Sequence, residues 1–426
     1  GPIGKTLILF ALPLLGSNVL QSVNGSANAM WVSHTLGESA LAAISNANQI
    51  FFLMLGAMFG LTMAANILIG QAVGARDEAL AKKVVGTCTL FFAVASTLVG
   101  VAGVVLTPAI LDAMGTPGDA RAEAVAYLTV IFLALPLIYF TTFLMMAKRG
   151  TGDSRTPFLF SALVVVLDII LNPLLILGVG PFPRLEIAGS ATATLIAQAI
   201  TLAAFLAHLY RRRSILVLRP GEFHLLKPDL AIIRTLVFKG LPMAFQMMVI
   251  SLAAVTMMGL VNGFGSNTAA AYGAAVQIWT YVQMPAMALG AAVSTMAAQN
   301  VGARRMDRVA EIARKGVFFA FVGTAVLVVV LEIAKPFVMA AFLPADSAAL
   351  PIAARINTIA LWGFIPFGMA FIFNGVVRAT GSVWPPLLAM IIALWVVRIP
   401  FASVLMPRIG ADAIWWSFPV GSIVMV

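Results

Sequence analysis

Apolar runs long enough to cross a bilayer recur along this chain, and they restrict its fold more than any other feature. They fall at about 6–32, 40–73, 84–107, 122–147, 157–179, 188–210, 235–261, 269–300, 313–334, 351–377, 385–406 and 413 onward. A helix needs about 20 apolar residues to span the hydrocarbon core. The first eleven runs meet that length; the twelfth is cut at Val426, so the natural protein is expected to continue. Only 10% of residues are charged, against about 25% in soluble proteins, and mean hydropathy is +1.02. The chain therefore reads as an all-α integral membrane protein. Its +10 net charge is assigned to basic loops and not to nucleic-acid binding. The one cysteine, Cys88, lies in an apolar run, so disulfides play no part. The first run follows Lys5 and is too long for a cleaved signal.

Twelve spans can be tested against the positive-inside rule. With the N-terminus inside, twenty of the 26 Lys and Arg residues fall on one side, and Arg398 alone falls within a span. The split supports both the span count and an orientation with both termini cytoplasmic. The longest polar break, Arg211 to Arg234, divides the spans six and six. The halves also repeat. Gln71-Ala-Val-Gly-Ala-Arg76 returns as Gln299-Asn-Val-Gly-Ala-Arg304, Arg149-Gly-Thr-Gly152 as Arg378-Ala-Thr-Gly381, Leu12-Pro13 as Leu241-Pro242, and Gln49-Ile50 as Gln277-Ile278. All four offsets are 228 or 229. An even number of spans per repeat makes the repeats parallel, with sites in or between two bundles. The expected domains are a first bundle over 1–210, a cytoplasmic linker over 211–234 and a second bundle over 235–426. This is the plan of a secondary transporter with alternating access.

Asp168 lies near the middle of the fifth run, with Asn172 four residues on and Pro173 next. A carboxylate at that depth costs at least about 2.5–3.5 kcal/mol on insertion scales, which marks a functional group. Asp168 and Asn172 share a helix face. Pro173 cannot donate to the Ile169 carbonyl, so a kink and a free oxygen are expected there. A carboxylate, an amide and a carbonyl on one face form a proton or cation site; the alternative is an Asp held by structural partners. The first span is unusually polar, and Gln21, Asn24 and Asn28 share a face. They either line a cavity and help coordinate a cation or bond neighbouring helices. Arg398 sits opposite Ile170 or Leu171 in the repeat, where it either binds an anionic group or is a structural cation near Pro400. Glu332 and Lys335 are expected to pair at the interface. The 21 Met and 28 Phe suit either a repackable cavity or lipid contact.

Several classes are excluded. No G-x-x-x-x-G-K-[ST] occurs, so ATP hydrolysis by this chain drives nothing. His34, His208 and Glu38 lack metal-ligand spacing. No nucleophile–base set or carboxylate pair shares one depth, so the chain is not read as an enzyme. A channel is disfavoured, because no ring of charge or filter repeat is seen. A flippase for lipid-linked sugars shares the two-bundle plan, but would need a more basic cavity than Arg398 alone supplies.

These motifs resemble the multidrug and toxic compound extrusion (MATE) transporters over nearly the whole chain. The resemblance rests on Leu12-Pro13, Trp31-Val-Ser-His-Thr-Leu-Gly37 with Ala40-Leu-Ala-Ala43, Gln71–Arg76, Arg149-Gly-Thr-Gly-Asp153 with Pro157, Leu171-Asn-Pro173 and Gly189–Thr194. It implies two six-helix bundles in a V and export of amphipathic, often cationic compounds in exchange for H⁺ or Na⁺. It implies no other cofactor, a monomer contacting membrane lipids, and a bacterial inner (plasma) membrane location. Where many members keep a first-span Asp, this chain has Asn28. Their fifth-span Asn and Asp, four apart, are reversed as Asp168 and Asn172. Thr194 matches a sixth-span Thr that bonds in this cluster in some members, and Tyr139 is expected to border it. The seventh-span Glu of one branch falls near Ile250, with Gln246 the nearest polar residue. Asp168 is thus the carboxylate left for coupling, with Asn172, Asn28, Thr194 and Asn24 around it. Na⁺ held by Asp168, Asn172 and the Ile169 carbonyl is the alternative to a proton. Tyr139, Gln21, Gln246 and Arg398 are the cavity candidates.

Overall fold

The computed structural model describes all residues except 1, 37, 114–117, 341–342 and 344–345; the side chains at 29, 33, 38–49, 52–53, 118–120 and 340 are also outside the description. Gly37 and the side chains of Glu38, the Ala40–Ala43 motif and Gln49 therefore lie outside the description. The helices are α1 (Ile3–Leu36), α2 (Glu38–Gly74), α3 (Glu78–Ala113), α4 (Gly118–Gly150), α5 (Arg155–Leu177) and α6 (Ile187–Arg211). After a 3-10 turn, Pro220–Leu226, come α7 (Leu230–Asn262), α8 (Ser266–Gly302), α9 (Met306–Ile333) and α10 (Lys335–Ala340). The last are α11 (Ala349–Ala360), α12 (Phe364–Ala379), α13 (Trp384–Ile391), α14 (Ile399–Ile409) and α15 (Asp412–Val424). No strand occurs among the described residues. In hydrocarbon a helix satisfies its own backbone, which an open strand cannot do.

Among the described residues, ten segments are long and apolar enough to cross a membrane. α11–α12 form one of them, and α13–α14, joined through the π-helical turn Ile392–Arg398, form another. Neither α8 nor α15 is among the ten. α8 has 37 residues but is rich in Ala, Gly, Gln, Ser and Thr; α15 has only 13. Together they complete two sets of six.

The chain divides into two compact units, Gly16–Leu241 and Gly1–Leu15 with Pro242–Val426. The first is built on a core that includes Phe92, Phe143 and Phe205, with Phe92 stacked on Phe143 at 4.8 Å. The second centres on Trp279, Phe364, Trp415 and Phe418. Ile3, Leu7, Phe10 and Leu14 pack there against α8, α9 and α12. Both breaks fall beside the repeated Leu-Pro pairs, inside α1 and α7.

The repeat extends to backbone geometry. Arg76 and Arg304 both adopt φ 57°, and Gly152 and Gly381 adopt 93° and 91°. Arg76 N–H donates to Val73 O at 3.0 Å, as Arg304 N–H does to Val301 O at 3.0 Å. Gly152 and Gly381 donate to Arg149 O and Arg378 O, each at 2.8 Å. These left-handed caps satisfy carbonyls that would otherwise end the helices unpaired.

The linker lies on α3. Gly86 makes room for it, since a Cβ there would stand 2.4 Å from Leu225 O. Lys82 pairs with Glu222, and Lys83 with Asp229 at 2.5 Å. The lysines hold both carboxyls below the usual carboxylate range. This tie is present above the ordinary carboxylate pKa and is lost as pH falls through the lowered values.

α5 runs unbroken through Pro173 and ends on Gly178, left-handed at φ 70°, whose N–H bonds Leu174 O. Leu185 N–H then bonds Leu175 O at 2.9 Å, returning the chain into α6. Gly189 lets α6 touch α5, because a Cβ there would stand 2.6 Å from Leu175 O. Gly189→Ala must part the two helices, so we expect a loss of about 1–3 kcal/mol, as overpacking costs. Gly259→Ala, on α7 with open space around it, should leave stability unchanged or raise it. Thermal unfolding of the purified variants checks both; an unchanged Gly189→Ala protein would contradict the close α5–α6 contact.

Candidate functional site: a buried carboxylate held by three helices

The α5–α6 contact brings Thr194 to Asp168. A second contact brings α1. Gly16 faces the Phe158 ring, where a Cβ would stand 2.6 Å from Cε2, so α1 lies close along α5. Asn24 and Asn28, one turn apart on α1, then both reach Asp168. Asp168 and Asn172 are fully buried.

Asp168 Oδ2 accepts from Asn24 Nδ2 at 2.9 Å and from Asn28 Nδ2 at 3.1 Å. Oδ1 accepts from Thr194 Oγ1 at 3.0 Å and, at 3.4 Å, from Asn172 Nδ2. Asn172 Nδ2 also donates to Asn28 Oδ1 at 2.7 Å and to the Asp168 carbonyl at 3.0 Å. Three helices thus converge on one carboxylate. Among the described residues no ion pair involves Asp168. Its charge is balanced by neutral donors alone, each worth about 1.5–3 kcal/mol to an ionised group.

Among the described residues, two oxygens in the cluster have no donor, Asn24 Oδ1 and Asn172 Oδ1. Flipping the Asn24 amide would set its oxygen against the carboxylate, so the donor set fixes the orientation. The site therefore offers carboxylate and amide oxygens together, with a carbonyl at Ile169 that Pro173 cannot serve. That donor set suits a proton or a small hard cation.

The other candidates are placed elsewhere. Gln21 is exposed and is not among the groups bonding Asp168. Tyr139 is buried, but its hydroxyl donates to Met54 O of α2 at 2.9 Å. Gln246 is buried, and its Nε2 has no hydrogen-bond partner. Arg398 lies in the second unit, with its guanidinium carbon 5.1 Å from the Phe418 ring centre. Glu332 and Lys335 pair at 2.7 Å. Sequence reasoning also passed over Tyr127 of α4, which is buried in the core of the first unit. A tyrosine at that depth on a neighbouring span was the available signal.

The MatE family model matches the chain twice, at residues 13–174 and 242–404, once in each repeat. The chain is 37% identical over 421 residues to the "Probable multidrug resistance protein YoeA" of Bacillus subtilis, covering 97% of this chain and 90% of that one. It is 24% identical over 432 residues to a "FAD transporter" of Shewanella oneidensis, covering 100% and 93%. Its fold matches that of a solved structure described as "Outward-facing conformation of a multidrug resistance MATE family transporter of the MOP superfamily", with TM-score 0.90, 21% identity and coverage of 100% and 94%. With two copies of the family pattern on two six-helix units, this chain belongs to the MATE family of membrane transporters, and it is not an enzyme.

Proposed function

We propose that this chain exports amphipathic, cationic small molecules by antiport with H⁺, with Asp168 as the coupling carboxylate. The observation that supports it most is a fully buried Asp168 held by donors from α1, α5 and α6, with no basic partner among the described residues. The likeness to a protein named for multidrug resistance supports the substrate class.

The coupling follows from hydrogen-bond chemistry. Ionised Asp168 is acceptor-only and takes all four donors. Protonated Asp168 becomes a donor itself, and one oxygen can no longer accept as strongly. Asn24, Asn28 or Thr194 must then turn away, and the hold on α1 and α6 weakens. α1 also carries residues 1–15, which pack within the second unit. A proton at Asp168 thereby has different affinity for two arrangements of α1, which is what a coupling ion requires. Proton uptake from outside and release inside would drive export. Na⁺ is the second reading, favoured by the unpaired Asn24 and Asn172 oxygens beside the carboxylate.

Reconstituted protein is expected to move ethidium against its gradient when a pH gradient is imposed, and an imposed Na⁺ gradient separates the two readings. Asp168→Asn keeps shape and removes charge, and should reduce gradient-driven transport to the protein-free background. Undiminished transport in that variant would sink the coupling role. For orientation we propose that both termini and the linker face the cytoplasm, in the plasma membrane. A cysteine introduced at exposed Phe223, with Cys88→Ser, should react with an impermeant maleimide in inverted vesicles and not in intact cells. Labelling in intact cells would reverse the orientation.

A further inference from the structure

We propose that the groove between α3 and the start of α7 binds one anionic phospholipid of the leaflet on the linker's side, with its acyl chain in the groove and its phosphate at Lys227 and Arg234. Neither the coupling role of Asp168 nor the direction of insertion enters into it.

The groove arises from the way α7 is anchored. Asp229 Oδ1 accepts from Ala231 N–H at 2.8 Å and from Ile232 N–H at 3.2 Å, which caps α7. Its Oδ2 pairs with Lys83 of α3 at 2.5 Å, and its own N–H donates to Thr87 Oγ1 of α3 at 3.5 Å. The first turn of α7 is thus pinned to α3, and beside the pin opens a cavity of about 290 Å³. Its α3 wall runs from Leu90 past Val94 and Ala95 to Leu98, and its other wall is Pro228 and Ile233. All of them lie in the unit Gly16–Leu241.

Every residue lining the groove is apolar. A pocket for a polar solute carries a few polar groups that orient it; here there are none, so the occupant of the groove is hydrocarbon. Leu90 to Leu98 covers about 12 Å of helix, at about 1.5 Å per residue. That is most of the roughly 15 Å of hydrocarbon in one leaflet. Val94 is 49% and Leu98 65% exposed, so the groove opens sideways, where a lipid chain can enter.

The charge lies at one end. Lys227 directly precedes Pro228, Arg234 directly follows Ile233, and both are exposed. From residue 211 to the end of α7 the acidic residues are Glu222 and Asp229 alone, and Lys82 and Lys83 already take them. Among the described residues no ion pair includes Lys227 or Arg234. Two uncompensated cations at the mouth of an apolar groove match a phosphate carried on an acyl chain, as basic pockets between spans match anionic headgroups. A zwitterionic lipid brings its own cation to the same place and gains less.

The test is quenching of a bimane label by brominated-chain phospholipids in reconstituted protein. The label sits on Val101→Cys, with Cys88→Ser; Val101 is exposed and lies one turn beyond Leu98 on α3. Brominated phosphatidylglycerol should bind more tightly than brominated phosphatidylcholine by about fivefold for each of the two basic residues. Lys227→Gln with Arg234→Gln should abolish that preference, and Ala95→Phe, which fills the groove, should weaken binding of both lipids. A control label on Val326→Cys, exposed on α9, should show no preference. Equal binding of the two lipids at Val101 overturns the proposal. So does an equal preference at Val326, which would mean general attraction to basic loops. Both results are read without altering the groove, so they decide the matter even if a groove variant fails to fold. A preference that survives in the folded double variant, or unchanged binding in folded Ala95→Phe, overturns it as well.

Discussion

An ionised carboxylate inside hydrocarbon must be fully hydrogen-bonded, and the arrangement of α1, α5 and α6 follows from that demand. Asp168 supplies acceptors and no donor, so its neighbours must bring N–H and O–H groups to it. Asn24 and Asn28 come from α1, Thr194 from α6 and Asn172 from α5 itself. The donors from α1 and α6 come within reach where glycine allows close approach, Gly16 on α1 and Gly189 on α6. Apolar packing alone would hold these helices at several separations. The polar cluster selects one.

The two repeats agree in their scaffold and differ in their chemistry. Left-handed caps at Arg76 and Arg304, and at Gly152 and Gly381, are nearly superposable in dihedral angle. Caps end helices and satisfy backbone groups, so they tolerate little change. The mid-span positions carry no such duty. In the first unit the fifth span carries Asp168 among side-chain amides and a hydroxyl; in the second, the equivalent segment carries Arg398 over the Phe418 ring. A parallel repeat can thus carry different mid-span chemistry in its two units without altering the fold.

Much of the first site was legible because helical spacing and membrane cost act locally. Asp168 with Asn172, and Asn24 with Asn28, are i, i+4 pairs whose shared face follows from 3.6 residues per turn. Gln21 sits at i−3 from Asn24 by the same rule, yet it is exposed. Spacing defines a face but not its angular width, and the neighbouring helix covers only part of it. Thr194 entered through family resemblance, and its reach depends on the Gly189 contact. Tyr127 went unnoticed because nothing in α4 marks which side is buried. Tyr139, expected near the cluster, turns instead to a carbonyl of α2.

The amino-acid sequence by itself determined the membrane class, the span pattern, the two-fold repeat and the depth of Asp168. Each depends on hydropathy, length or local periodicity, which are properties of a segment and its solvent. Tertiary structure alone decided that α1 and α7 divide between the units, that Asp168 has neutral partners from three helices, and that Arg398 faces aromatic rings. Those outcomes depend on which helix surfaces meet. That choice is governed by side-chain shape and close glycine contacts between residues far apart in the chain, and no local pattern records it.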